Sequence, residues 1–461
     1  PQPVIVYEAP AGKADPEIQH VILISIDTLR ADHLGCYGNP LVKTPHIDKL
    51  ASEGVLFEMH LNAAPTTLNS HTSLMTGTWP HTHGVPRNGF VLSNRNAMLA
   101  EVLKEHGFTT AAFIGAFPLD SRFNFDQGFD YYNEEFAILR GKAQVDQDQR
   151  RAEQVTDAVI NRLKRTHPER LFLFVHYFDV HWPYDPPPPY DRMYRKDNQP
   201  FSGSLMDIGL VRQALYRDRN SMVWQSAALD ALYSGEVSYT DHHIGRLLDA
   251  LREFGLYDNS LIVLTADHGE AMNEHWEIWD HGHSTYQTTV HTPLIIRQPG
   301  GKLGGRRCDH LVSNIDVMPT ILDRLGIGHP DQVEGVSFAR LLDGEPMPAR
   351  EPVFCEATKP FSYEDDPHWR NTLKCRAVCD GRWKFIYRPV GMVRELYDLE
   401  ADPQEKTNKL DNPDAEALKR SAELAARLEA WTQSARPLQS EADESDETLR
   451  KLKDLGYVED H

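Results

Sequence analysis

Several things are scarce or missing in this chain, and each narrows what it can do. Its 461 residues contain no apolar run of about 18, the length a membrane-crossing helix needs, so no spanning segment is expected. Positive charge is in deficit: 48 Lys and Arg stand against 68 Asp and Glu, a formal net charge of -20. A field of that sign repels polyanions, which argues against a nucleic-acid-binding surface or adhesion to an anionic membrane. A small anion can still bind if a local cation is supplied. No Lys/Arg cluster lies beside the motifs described below, so bound metal is the natural source. Cysteine is sparse as well, with Cys36, Cys308, Cys355, Cys375 and Cys379 too few and too scattered for a disulfide framework or a structural zinc site. They are expected as mostly free, buried thiols.

What is present reads as an ordinary globular protein, 40% hydrophobic and 25% charged. The length suggests one large catalytic domain over residues 1–350 and a smaller C-terminal subdomain over 351–461. Three apolar runs each end in an acid: Val21 to Asp27, Leu171 to Asp179 and Leu261 to Asp267. They read as buried parallel strands, and in open α/β sheets ligands bind beyond the carboxyl ends of the strands. Helical spacing over Ala100 to His106, Arg151 to Arg165 and Glu236 to Phe254 fills the gaps, so an α/β fold with a large doubly wound mixed sheet flanked by helices is expected. The Pro186 to Pro189 run and the polar stretch to about Ser204 read as a surface excursion near the rim of a cleft. Near residue 350 the pattern changes to short strands, Arg376 to Cys379, Lys384 to Tyr387 and Glu395 to Leu399, forming a small antiparallel sheet. A helix from Ala415 to Trp431 and a short basic helix near Leu449 to Leu455 follow.

The segment Thr67-Leu68-Asn69-Ser70-His71-Thr72-Ser73-Leu74-Met75-Thr76-Gly77 carries a family resemblance. It resembles the nucleophile signature C-x-P-S-R-x-S-L-L-T-G of sulfatases in the alkaline phosphatase superfamily, with Thr67 where the formylglycine-forming Cys would stand. Threonine cannot become an aldehyde, so the hydrated-aldehyde route is closed; related phosphodiesterases and phosphonate hydrolases use an unmodified Thr or Ser. The Asp27 segment and Asp267-His268-Gly269-Glu270 resemble the superfamily's metal-ligand segments, which implies a metal held by Asp27, Thr67, Asp267 and His268. Carboxylates mixed with an imidazole favour zinc or manganese over calcium. Thr67, His71, Thr76-Gly77, Pro80, His83-Gly84-Val85 and Asn88 further resemble the layout of nucleotide pyrophosphatase/phosphodiesterases, where the last Asn holds a non-bridging phosphoryl oxygen. The Lys and His with which sulfatases grip sulfate have no counterparts here.

A second metal is expected on Asp179 and His283, with His181 a general acid and His281 of open role. His71, His81, His83, His275 and His291 are read as lying outside the core site. The chain is accordingly expected to be a metal-dependent hydrolase of phosphoric esters (phosphodiester, phosphomonoester or phosphonate ester). Thr67 forms a phosphothreonine that hydroxide then releases, with Asn88 and His181 assisting and one or two divalent ions bound. The alternatives are a sulfuric ester hydrolase without formylglycine and a catalytically silent anion-binding protein. The residues carry no signal for oligomeric state. The first residue is Pro1, and the compartment stays open between cytoplasm and export with a removed signal.

Overall fold

Strand His20–Ile26 is buried along its whole length on both faces, which requires a neighbour on each edge and a layer above and below. Those neighbours are the other two runs that end in acids. A computed structural model describes residues 7–8, 14–136, 149–196, 208–218, 223–357, 373–436, 438, 441–443 and 445–454. Among these, eight strands form one sheet in the spatial order Arg306–Cys308, Val55–Phe57, Leu294–Arg297, Ser260–Thr265, His20–Ile26, Leu171–Tyr177, Thr109–Phe113 and Tyr131–Asn133. Leu294–Arg297 runs antiparallel to both neighbours, and every other pairing is parallel. The expected mixed, doubly wound sheet is therefore present.

Alternation along the central strand sorts its side chains into two layers. Val21 and Leu23 join Phe172, Phe174, Leu68 and Met75 in one core, whereas Ile22, Ile24 and Ile26 join Val155, Leu232 and Leu247 in the other. Register places Ser25 beside His176 on one side and Thr265 on the other, so all three strands end at one level and the polar residues just past them meet.

Helix Val223–Glu253 begins well before the expected Glu236. Gly235 looks like a break in the sequence, but it lets the helix touch a neighbour: a Cβ there would stand 2.6 Å from the Tyr190 carbonyl oxygen. The excursion after the proline run is described only as far as residue 196, so the expectation up to Ser204 lies partly outside the described residues.

The C-terminal strands Val353–Glu356, Arg376–Cys379, Trp383–Arg388 and Val393–Asp398 pair in sequence order as an antiparallel sheet. Helix Ala415–Gln433, capped by the Asp414 side chain on the Ala417 N–H, packs on it. The apolar layer beneath draws in Leu61, Ala63, Trp79 and Ile315 beside Val378, Phe385, Leu424 and Trp431. Within it, buried Lys384 pairs with buried Glu405 at 2.8 Å. All five cysteines are free, four of them buried.

Candidate active site

Thr67 opens the helix Thr67–Thr76, every residue of which is buried. A helix start leaves backbone N–H groups without intrahelical partners, and here the Asn88 Oδ1 accepts the Leu68 N–H at 2.7 Å. The Thr67 hydroxyl donates to Asp27 Oδ2 at 3.3 Å. Helix and sheet are locked together nearby, because Ser70 Oγ donates to the Asp267 carbonyl at 2.6 Å.

Asp27, Asp267 and His268 lie together past two adjacent strands, and their free atoms converge. The His268 Nε2 is 3.6 Å from Asp27 Oδ1 and 3.5 Å from Asp267 Oδ2. All three atoms are buried and have no hydrogen-bond partner. The His268 Nδ1 faces the Gly269 carbonyl at 2.9 Å, so the ring proton sits there and Nε2 presents a lone pair. A lone pair facing two carboxylate oxygens inside the protein is repulsive unless a cation lies between them. Burial pushes the Asp27 carboxyl well above its ordinary range, with the charge of Glu270 adding to this and the Thr67 hydroxyl opposing it. Asp267 is raised likewise by burial and by Asp27, while burial and His281 hold His268 well below the usual imidazole value. A divalent cation would reverse the two carboxylate shifts and hold His268 in the neutral form a ligand needs, and the donor set of two carboxylates and an imidazole suits one. The residues present therefore fit a metal, with the Thr67 hydroxyl adjacent.

The surrounding groups orient this set. The His176 Nδ1 accepts the Gly115 N–H at 3.3 Å, which leaves Nε2–H to donate to Asp27 Oδ2 at 3.3 Å. His71 Nδ1 faces the Thr67 carbonyl at 2.8 Å and lies 3.5 Å from Asp267 Oδ2, while its Nε2 faces the Ser25 hydroxyl at 2.8 Å. His71, read from sequence as outside the site, is thus inside it, and His176, not singled out at all, touches Asp27. The sequence signal for His176 was a lone polar residue inside an apolar strand, in register with Ser25. His81, His83, His275 and His291 have other partners: His81 packs at a tilt against Trp431, His83 is bonded to Ser73 and Val85, His275 is stacked on Tyr286, and His291 is bonded to the Glu58 carbonyl.

A file of imidazoles leads outward, with ring centroids 4.4 Å apart from His268 to His281 and 5.1 Å from His281 to His181. Glu270 lies 3.3 Å from the His281 Nδ1 and accepts the Tyr184 hydroxyl, with burial pushing its carboxyl up to about 7. His181 stacks on Phe178, and its Nδ1 faces the Trp182 carbonyl. Asn88 is buried, and its Nδ2 has no partner.

Asp179 and His283, the residues expected for a second metal, lie among other partners. Two groups of three or more His, Cys, Asp or Glu converge among the described residues, His71/His176/Asp267 and Asp27/Asp267/His268, and neither includes Asp179 or His283. Asp179 accepts the Ala152 N–H and lies beside Arg151 and Glu236, while His283 is held near Asp280 and Glu277. The chain turns after Tyr177, so Asp179 points to the start of a helix rather than to its counterparts on the neighbouring strands.

This sheet, with its buried Thr67–Thr76 helix and acid-tipped strands, is that of a known enzyme class. The chain belongs to the sulfatase family: the family model described as Sulfatase matches residues 19–327, and one described as N-sulphoglucosamine sulphohydrolase, C-terminal, matches residues 274–434. An arylsulfatase of Clostridium perfringens is 27% identical over 455 residues, covering 85% of this chain and 90% of that one. The multifunctional alkaline phosphatase superfamily protein PehA of Trinickia caryophylli is 24% identical, covering 90% and 95%. The crystal structure of a phosphonate monoester hydrolase of Agrobacterium radiobacter superposes with a TM-score of 0.71 at 25% identity, covering 90% of this chain and 96% of that one. By family and fold the chain is an ester hydrolase of the sulfatase type.

Proposed function

We propose that this chain hydrolyses phosphoric or phosphonic esters through a covalent phosphothreonine at Thr67. The observation that carries the reading is the position of the Thr67 hydroxyl. It opens a buried helix, 3.3 Å from Asp27 Oδ2 and beside three converging, unpartnered ligand atoms. A secondary alcohol there can attack phosphorus but cannot form the aldehyde hydrate on which formylglycine chemistry depends.

The residues divide the work. Asp27 accepts the Thr67 hydroxyl bond and aims the oxygen, while His176 and His71 fix the groups around it. A divalent ion held by Asp27, Asp267 and His268, zinc or manganese by preference over calcium, would supply the positive charge that lowers the Thr67 pKa and offsets the charge of the ester. Asn88 offers its Nδ2–H to a non-bridging oxygen on which charge develops. His181 protonates the leaving oxygen, and an in-line attack by water releases the phosphothreonine.

The second reading is sulfuric ester hydrolysis at the same threonine, favoured by the matching family models and by the arylsulfatase relative. Parallel assays decide between them: metal analysis, then kcat/KM on p-nitrophenyl phosphate, bis(p-nitrophenyl) phosphate, p-nitrophenyl phenylphosphonate and p-nitrophenyl sulfate, for the parent and Thr67→Ala. The expected result is bound divalent metal, phosphoryl turnover above sulfate turnover, and a phosphoryl group on the Thr67 peptide after rapid acid quench. Sulfate turnover above all phosphoryl turnover overturns the proposal in favour of the second reading. Absence of both metal and turnover leaves an anion-binding protein.

A further inference from the structure

Asp179 walls a cavity of about 230 Å³ together with Glu236, and His181 forms part of the same wall. The cavity therefore lies beside the outer end of the imidazole file. Glu236 is 3% exposed; its Oε1 accepts the Asp185 N–H at 2.8 Å, but its buried Oε2 has no partner. Asp179 repeats the pattern, with the Ala152 N–H as a partner and a buried, unpartnered Oδ2. A buried carboxylate oxygen without a donor is costly, and two that raise each other's energy are more so.

The nearby guanidinium groups do not supply the missing hydrogen bonds. Arg150 spends all three nitrogens on the Ile114 carbonyl and on Asn133. Arg151 donates to the Asp185 carbonyl at 2.9 Å, and its other terminal nitrogen is 3.8 Å from the Asp185 carboxylate. With Glu153 and Asp185 also lining the cavity, four carboxylates stand against two guanidiniums, a formal excess of two negative charges. A divalent metal is a poor match, since Asp179 and Glu236 belong to no group of three converging ligands among the described residues. A donor-rich monovalent cation is a better one.

We propose that this cavity is a leaving-group subsite for a primary or secondary ammonium, held by Asp179 and Glu236, so that the favoured esters are those of amino alcohols. The proposal rests on the ester-hydrolase reading for its place in catalysis, but ammonium binding can be tested without turnover. Isothermal titration of the intact chain with 3-amino-1-propanol and with 1,3-propanediol isolates the charge. The amine is expected to bind about tenfold tighter or more, as for a hydrogen bond to a charged group, and Glu236→Gln is expected to remove most of that preference with no loss of melting temperature. Glu236→Asp, which keeps the charge, retains it and serves if the Gln variant fails to fold. Equal binding of the two alcohols overturns the subsite. So does an amine preference that survives Glu236→Gln, because it then reflects the general acidity of the chain. In turnover, 2-aminoethyl phosphate is expected to exceed 2-hydroxyethyl phosphate in kcat/KM. Ester turnover without that preference overturns the subsite alone, whereas ammonium binding without turnover of any ester overturns the catalytic reading alone.

Discussion

Asp267→Asn tests the metal argument most sharply, because it should stabilise the metal-free protein while abolishing its response to metal. The ligand atoms of Asp27, Asp267 and His268 lie within 4.8 Å of one another. Two carboxylate charges at that distance repel by about 3 kcal/mol at an effective dielectric constant near 20. Asparagine keeps the oxygen that accepts the Thr28 and His268 N–H groups, removes one charge, and turns a donor toward the His268 lone pair. The unfolding entropy of a 461-residue chain is on the order of 1 kcal/mol per kelvin, so in chelator the variant should melt about 3 °C above the parent. Divalent metal at roughly a hundred times its Kd stabilises the parent by about 2.7 kcal/mol, again about 3 °C, and should leave the variant unmoved. The pH dependence has a definite sign. Burial raises Asp27 and Asp267 above their unfolded values, with the charge of Glu270 adding at Asp27 and that of Asp27 adding at Asp267, so the stability they contribute is complete below the ordinary carboxylate range and is lost as pH rises through their raised values. The gap between variant and parent in chelator should therefore widen from about pH 4 upward. Differential scanning fluorimetry with EDTA, Zn²⁺ and Mn²⁺ reads all of this. A parent indifferent to metal, or a variant that melts below it in EDTA, refutes the reasoning.

Thr67→Ala should cut kcat by on the order of 10³-fold or more with little change in melting, whereas Thr67→Ser should retain measurable turnover; steady-state kinetics on the best aryl ester checks both. Asn88→Asp should keep the acceptor for the Leu68 N–H and hence the fold, but lose the Nδ2 donor and about 10² in kcat; Asn88→Ala should in addition cost about 1 kcal/mol in thermal denaturation. Lys384→Met strands the buried Glu405 carboxylate and should cost about 3–5 kcal/mol, with Lys384→Met/Glu405→Gln recovering most of it in the same melts.

The parts of the fold legible in the sequence were those governed by local periodicity. Leu171–Tyr177 and Ser260–Thr265 are seen as apolar runs because burial on both faces forbids polar alternation, and Arg376–Cys379 because Asp380-Gly381 ends it sharply. The long helix is legible only from Glu236 onward; its earlier turns cross Gly235, which is set by close approach to Tyr190, a contact that is not local. His176 and His71 were missed for a related reason. What brings them to Asp27 and Asp267 is strand register and the layer a side chain faces, and neither quantity is local.

The three strand-end acids show where the inference from sequence to site stops. Asp27 lies one residue past its strand, and Asp267 and Asp179 two past theirs, in three neighbouring parallel strands. Counted from strand ends alone, Asp267 and Asp179 are equivalent, yet only Asp267 reaches Asp27. The difference lies in what each backbone meets next. The Asp267 carbonyl is taken by Ser70 on the nucleophile-bearing helix, and its carboxylate by the N–H groups of Thr28 and His268, which hold it over the site. Asp179 instead meets the start of helix Ala152–Leu163, whose Ala152 N–H and neighbouring Arg151 claim it. A helix N-terminus and a guanidinium both stabilise a carboxylate. The acid that does not reach Asp27 is the one that lines the cavity beside His181.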